Sequence, residues 1–403
     1  MIRILLIPSS DYLGHPFPQR HNHIFERVHD GREFEVHVVR FNLFGKPRLT
    51  SRCIIHEIQL ELKTRSTALY YLVNAPGYSS EIMKIVKQES IDVVVSGNIL
   101  PPLIVDVISR FAQRKILTIF DLQDYYPASA LGYLGFAKYF KTPLRGLLEA
   151  ITQELIRSSS VVTTPGIALA HYARKVGARN VYLVPNGISE HFLVQHDGRD
   201  IRSSLGFKDE DVVVGYIGSV EFWLDMKPLI QAISTARQRG IPVKLLVVGK
   251  HIQTGYYKKV RKWVSNYGIE DITMWTDFVP YQYVPKYIAA LDIGTIPFNV
   301  QESTAYYAAP NKLWEYLSQG IFVVATPIPE VLLHRDLAYI IKKSDDYLRV
   351  IEMSRRSLQK SSRSLIMERA KERIRQRLWS NIAVEMKNIV KSVSRRVNVR
   401  LVS

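Results

Sequence analysis

Twelve short apolar runs, rich in β-branched residues, alternate with longer stretches of helical period along 403 residues. Few architectures satisfy that alternation. Strand followed by helix, repeated, implies parallel sheets with helices on both faces, an α/β fold. The expected strands of the first half are Arg3–Pro8, Phe34–Phe41, Ile91–Ser96, Ile116–Phe120, Val161–Thr164 and Val181–Val184. Those of the second half are Val212–Ile217, Lys244–Val248, Ile272–Phe278, Ile293–Pro297, Phe322–Ala325 and Ala338–Ile341. Runs such as Val93-Val94-Val95 carry no polar alternation, which fits sheets buried on both sides. Ser80–Glu89 and Lys227–Arg239 read as helices between strands. A polar stretch between Asn186 and Asp211 separates two series of similar size, and 403 residues exceed a single ordinary core. The expectation is two doubly wound domains, 1–190 and 191–374, whose ligands lie beyond the carboxyl ends of the strands.

The tail holds a further pattern. Ile366, Ala370, Ile374, Leu378, Ile382, Met386 and Val390 recur every four residues, the packing face of one long helix. The stripe covers about 37 Å at 1.5 Å per residue, enough to return from the second domain to the first, over about residues 375–400. From Ser354 to Ser403 there are 14 Lys/Arg against 3 Asp/Glu, the larger part of a net charge of +17. Such a basic face reads either as solvation or as an attraction to an anionic membrane surface. The segment 130–141, apolar, aromatic and basic, reads as a buried helix or an interfacial one.

Other functional classes are excluded by what is missing. The single cysteine, Cys53, forms no intrachain disulfide or Cys-based zinc cluster and suits a reducing compartment. No run reaches the 18–20 apolar residues of a membrane span. A cytoplasmic protein is expected, with a peripheral station at the membrane face. The first strand leads into Ser9-Ser10-Asp11-Tyr12-Leu13-Gly14, not Gly-x-Gly-x-x-Gly, which argues against a dehydrogenase.

The segment Pro310-Asn311-Lys312-Leu313-Trp314-Glu315-Tyr316-Leu317-Ser318-Gln319-Gly320, followed by Val323-Val324-Ala325-Thr326-Pro327, resembles the donor helix of group 1, family 4-like glycosyltransferases of the GT-B fold. That resemblance extends over nearly the whole chain. It implies two facing Rossmann-like domains with a C-terminal crossover helix, the first on the acceptor side and the second binding a nucleotide-diphosphate sugar. Gly218 and Ser219 after a strand, Gly249 and Lys250 after the next, and Val279-Pro280 in the loop that meets the base resemble further donor contacts. With Asn311, Lys312, Leu313 and Glu315 they form the implied donor site. A Lys supplies charge for phosphate, and Glu315 can accept two hydrogen bonds from a ribose diol. The plainer reading is an amphipathic core helix with a solvated Glu315.

Three positions depart from the family pattern. Tyr307 stands where retaining members carry the first of two glutamates, Ser219 replaces a basic residue, and Phe120-Asp121 replaces His-Asp. Asp121 and Asp124 follow a strand, and either could act as general base, which suits inversion; in a retaining enzyme they would orient hydroxyls while the donor phosphate takes the proton. A turn-stabilising role for either is the alternative. Gly14, Arg20, His21 and His23 follow the first strand as acceptor or phosphate contacts, Arg20 being the better anion ligand. No metal or resident cofactor is expected, because basic groups can hold the departing diphosphate.

The expected reaction is hexosyl transfer from a UDP- or GDP-sugar to a glycan or lipid-linked saccharide, with retention. A nucleotide-sugar epimerase of the same architecture, or a noncatalytic basic protein binding membrane or nucleic acid, are the alternatives; nucleic acid is not an expected partner of the enzyme.

Overall fold

The computed structural model describes residues 1–43, 45–58, 62, 67–97, 103, 116–133, 141–249, 255–357 and 360–402. The chain divides into two compact units: 1–127, 138–186 and 379–403 form the first, 128–137 and 187–378 the second.

The first unit carries strands β1 (Ile2–Ile7), β2 (Phe34–Arg40), β3 (Ile54–Glu57), β4 (Val93–Gly97), β5 (Leu117–Asp121), β6 (Val161–Thr164) and β7 (Val181–Leu183). They pair in parallel in the order β3-β2-β1-β4-β5-β6-β7. Alternate residues feed opposite cores, as a period of two requires. Ile4, Leu6, Val36, Val38, Val93 and Val95 meet the helices Arg20–Val28 and Trp379–Val402. Leu5, Ile7, Val39 and Val94 meet Tyr78, Ile82 and Ile85 of the helix Thr67–Gln88 on the other face. This explains why the strands read as unbroken apolar runs. Each fully buried side chain of this kind contributes about 1.5–3 kcal/mol.

The second unit holds β8 (Val212–Ile217), β9 (Val243–Val248), β10 (Thr273–Trp275), β11 (Ile293–Ile296), β12 (Phe322–Ala325) and β13 (Tyr339–Ile340), also parallel, in the order β10-β9-β8-β11-β12-β13. In both sheets the order reverses beside the first strand, the doubly wound arrangement.

All twelve expected strands are present. The additional one, β3, escapes detection because this edge strand buries neither face: Ile54 is exposed, and Ile55 and His56 are only half-buried. The helix Thr67–Gln88 begins well before Ser80 and carries an exposed Pro76 inside it.

The tail differs from the single rod expected. Lys360–Gln376 and Trp379–Val402 are separate helices. At the break, Leu378 bridges to Ile188, whose N–H donates to the Arg377 carbonyl at 2.8 Å. The i+4 stripe is therefore two faces: Ile366, Ala370, Ile374 and Leu378 pack with the second unit, Ile382, Met386 and Val390 with the first. Much of the tail's charge is also spent inside the protein. Arg373 pairs with Asp336, Lys387 with Asp30 and Lys391 with Glu33, while Arg377 lies over the Trp314 ring and bonds Glu330. A fully exposed basic face is not what these residues make. Among the described residues no helix is long and apolar enough to cross a membrane. Most of the segment 130–141 lies outside the described residues.

Candidate functional site

In the first unit, the site residues collect at the carboxyl ends of β1 and β5. Gln19 and Asn22 cap the helix Arg20–Val28 reciprocally, so that Arg20 and His21 fall in its first turn. Arg20 reaches the sheet and spends all five donors. Its Nε and Nη2 bind the Asp121 carboxylate at 2.9 and 3.2 Å, Nη2 also reaches the Val184 carbonyl, and Nη1 reaches the Pro185 carbonyl and Asn186 Oδ1. With no donor left over, Arg20 is an organiser of the site rather than the anion ligand expected.

Asp121 is equally committed. Its carboxylate accepts from Thr163 Oγ1 at 2.7 Å and Gln123 Nε2 at 3.0 Å besides Arg20, and His21 Nε2 lies 3.1 Å away. Burial alone would raise its pKa, but the Arg20 guanidinium and His21 overcome that and hold the carboxyl far below the usual carboxylate range. So weak a base does not accept an acceptor's proton. Asp124 is the opposite case. Its carboxylate takes one hydrogen bond, from the Tyr125 N–H at 2.8 Å, and burial pushes it up to about 6. It lines a cavity of about 300 Å³ with Ser9, Arg20, Gln123, Tyr126 and Asn186.

The other residues expected near β1 scatter. His23 stacks on the Trp379 ring, with centroids 4.7 Å apart and planes at 7°, and so serves packing. Gly14 closes a turn by donating to Asp11 Oδ1 at 2.8 Å. His21 belongs to the Asp121 cluster instead of offering a free ligand atom to phosphate, its Nε2 also lying 2.7 Å from Gln123 Nε2.

Gly97 was not foreseen. A Cβ there would stand 2.6 Å from His21 Cε1 and 2.9 Å from Gln123 Nε2. Gly97→Ala is expected to cost about 1–3 kcal/mol through overpacking and to lower turnover by displacing His21. Unchanged melting and turnover would show that the ring has room to move.

The second unit gathers the other cluster at the carboxyl ends of β8 and β9. Gly218 and Gly249 have φ of +135° and +129°. A Cβ on Gly249 would stand 2.3 Å from the Gly218 carbonyl oxygen; one on Gly218 would stand 2.6 Å from Lys312 Nζ. Both positions therefore need glycine for their backbone conformation and for the approach of Lys312. Lys312 Nζ lies 5.4 Å from the Tyr216 ring centroid. Burial lowers the Lys312 pKa, opposed by the Glu315 charge. Burial raises that of Glu315, opposed by Lys312 and by the Tyr281 hydroxyl, which donates to Glu315 Oε1 at 3.3 Å. A buried carboxylate and a half-buried ammonium one helical turn apart are thus held beside a glycine pair.

Pro280 caps the short turn Tyr281–Tyr283 that aims Tyr281, and Val279 packs against the core. Asn311 Oδ1 is buried with no partner among the described residues. The Ser219 carbonyl accepts from the Tyr216 hydroxyl at 2.8 Å. The Leu313 side chain lies in the hydrophobic core, so it anchors the helix Lys312–Ser318 and offers no apolar donor contact. Lys250 lies outside the described residues. Tyr307 packs edge-on to Tyr306.

Residues 211–353 match the family described as glycosyl transferases group 1. The chain has the GT-B fold. Comparison with curated protein sequences finds no match. Among solved structures, the chain is similar to Anabaena HepE in complex with UDP, at 16% identity and TM-score 0.69, covering 97% of this chain and all of that one. Sucrose-phosphate synthase of Thermosynechococcus elongatus aligns at 14% identity and TM-score 0.71, over 98% and 99% of the two chains. WaaG, a glycosyltransferase involved in lipopolysaccharide biosynthesis, aligns at 15% and 0.66, over 96% and 99%. At these identities the chain shares their fold.

Proposed function

We propose that the enzyme transfers a hexosyl unit from a nucleoside-diphosphate sugar, with a UDP-sugar the first candidate, to a hydroxyl of a glycan or lipid-linked saccharide. The observation that carries this reading is the group of buried Glu315 with half-buried Lys312 and Tyr281 beside Gly218 and Gly249, within the family-matched segment. Lys312 supplies charge for the diphosphate, Asn311 Oδ1 an acceptor, and Glu315 an acceptor for the ribose diol. HepE, similar in fold, holds UDP and UDP-glucose in its own structures. The polar cavity of the first unit suits an acceptor saccharide, with Asn186, Gln123 and Asp124 as hydrogen-bonding groups. No metal or resident cofactor takes part: Lys312 is the counter-charge of the departing diphosphate. A thermal-shift screen of UDP-, GDP- and ADP-sugars tests the donor; a donor present at about 100 times its Kd adds roughly 2.7 kcal/mol of stability. No shift with any nucleotide sugar defeats the reading, and release of free nucleotide without acceptor points to an epimerase instead.

Retention is the proposed outcome at the anomeric carbon, with Asp124 orienting an acceptor hydroxyl and the donor phosphate taking the proton. One observation favours a second reading, inversion: Asp124 alone combines cavity access with a carboxyl pushed up to about 6, the value of a working general base. Asp124→Asn separates the two. Under retention, turnover falls less than about tenfold and the product keeps its anomeric configuration by NMR. Under inversion, turnover falls about 10²–10⁴-fold, and the wild-type rate declines as pH drops through about 6.

A further inference from the structure

A second cluster of ligand-type side chains lies in the first unit, at the other end of its sheet. His37 projects from the middle of β2 and His56 from edge strand β3, while Glu89 stands between the helix Thr67–Gln88 and β4. One ligating atom from each lies within 4.8 Å of the others. The candidate acceptor cavity is bounded by residues that follow β1 and β5; Glu89 instead precedes β4, so this cluster plays no part in the proposed transfer.

The geometry is that of a backed ligand set. His37 Nδ1 lies 2.9 Å from His56 Nε2, the rings stacked with centroids 5.2 Å apart. On its far side, His37 Nε2 lies 3.2 Å from Glu35 Oε1. A carboxylate there can accept a hydrogen bond from Nε2–H, and in that tautomer the Nδ1 lone pair faces His56. Arg3 fixes this backing: its Nε donates to Glu35 Oε1 at 2.9 Å, and its Nη1 donates to the Glu89 carbonyl at 3.2 Å. The Arg3 charge is thereby matched by Glu35, and the Glu89 carboxylate is left to balance a cation.

We propose that His37, His56 and Glu89 bind one zinc ion, with water completing its coordination. Two imidazoles and one carboxylate are a nitrogen–oxygen set, which suits zinc; calcium and magnesium take oxygen ligands. Nitrogens on a tetrahedral zinc, each bonded at about 2.0–2.1 Å, stand about 3.3 Å apart, so the two rings need to part by only a few tenths of an ångström. Such an ion ties β2 and the end of the helix Thr67–Gln88 to β3, the strand with the least burial of its own. Its role is to secure the sheet edge.

The test uses untagged full-length protein, stripped with chelator, dialysed and titrated with zinc chloride in a calorimeter. One tight site per chain and a raised melting temperature are expected. Glu35→Gln, which removes the backing carboxylate and with it the counter-charge of Arg3, is expected to weaken zinc about 10–100-fold; His56→Ala and Glu89→Gln, both at half-buried positions, are expected to abolish the tight site while the apoproteins keep the wild-type circular dichroism. X-ray absorption at the zinc edge should show two imidazoles. Absence of a tight site, or equal zinc affinity in wild type and either ligand variant, overturns the proposal and leaves the cluster as a hydrogen-bonded brace. If His56→Ala fails to fold, Glu89→Gln carries the same comparison.

Discussion

Asp121→Asn is expected to destabilise the first unit by about 3–5 kcal/mol, the usual cost of removing one partner from a buried ion pair. The reason lies in the surroundings. Arg20 and Asp121 are both buried, in a salt bridge of 2.9 Å, and although Arg20 borders the cavity its guanidinium has little exposure to solvent as compensation. Asparagine can keep some of the hydrogen bonds from Arg20, Thr163 and Gln123, but it cannot keep the charge. The pH dependence gives an independent check. Asp121 has a depressed pKa in the fold, so its contribution is complete above the ordinary carboxylate range and is lost as pH falls toward its folded value. The gap in melting temperature between wild type and Asp121→Asn should therefore be widest near neutrality and should shrink below about pH 4. Asp124→Asn is the control with the opposite sign. Its pKa is raised, so the ionised form costs stability as pH rises through about 6, and the neutral amide should melt no lower than wild type at pH 8. Equal melting of both variants at neutral pH would show that Arg20 finds other partners and that the cluster is not a charge-paired core.

The two aspartates also show how far residues can be read without coordinates. Asp121 ends β5 and Asp124 follows three residues later, and the sequence places them together as candidates for the same role. What separates them is long-range. Asp121 meets Thr163 across the register of β5 and β6, Gly97 across that of β4 and β5, and Arg20 from a helix a hundred residues earlier. None of these partners has a local signal. The central strands were legible because they are buried on both faces and so carry unbroken apolar runs, and the edge strands β7, β10 and β13 because apolar residues still predominate in their neighbourhood, whereas β3 alternates with exposed and charged positions. The C-terminal stripe was legible as packing but not as two packings, since an i+4 repeat is indifferent to which core receives it. The break at Arg377-Leu378 depends on Ile188 arriving from the other end of the second unit. On the donor side the segment Pro310–Gly320 was legible as a unit because one helix carries Lys312 and Glu315 together. Tyr281, which completes the group, arrives from a separate loop.

Lys312→Met is expected to weaken nucleoside-diphosphate binding by about 10–150-fold, equivalent to the roughly 1.5–3 kcal/mol of a hydrogen bond to a charged group. Glu315→Gln is expected to act on a different part of the ligand. If Glu315 accepts from the ribose diol, its loss should weaken a nucleoside diphosphate and the corresponding nucleoside alike, whereas the loss of Lys312 should spare the nucleoside. A deoxyribose diphosphate closes the cycle: it should bind wild type more weakly than the ribose form, and bind Glu315→Gln with little further loss, because the partner hydroxyl is already gone. The two side chains are not independent, since each opposes the effect of burial on the other. Removing Lys312 leaves Glu315 without its counter-charge, so the carboxyl should rise further in pKa. The affinity of Lys312→Met should then improve less than that of wild type as pH is raised only if the ligand's phosphate charge, and not Glu315, dominates the site. Isothermal titration of the three ligands against wild type and both variants at pH 6 and pH 8 measures all of this. Additive losses for Glu315→Gln and the deoxyribose ligand would remove Glu315 from the ribose site, and undiminished diphosphate affinity in Lys312→Met would place the donor's phosphates elsewhere on the second unit.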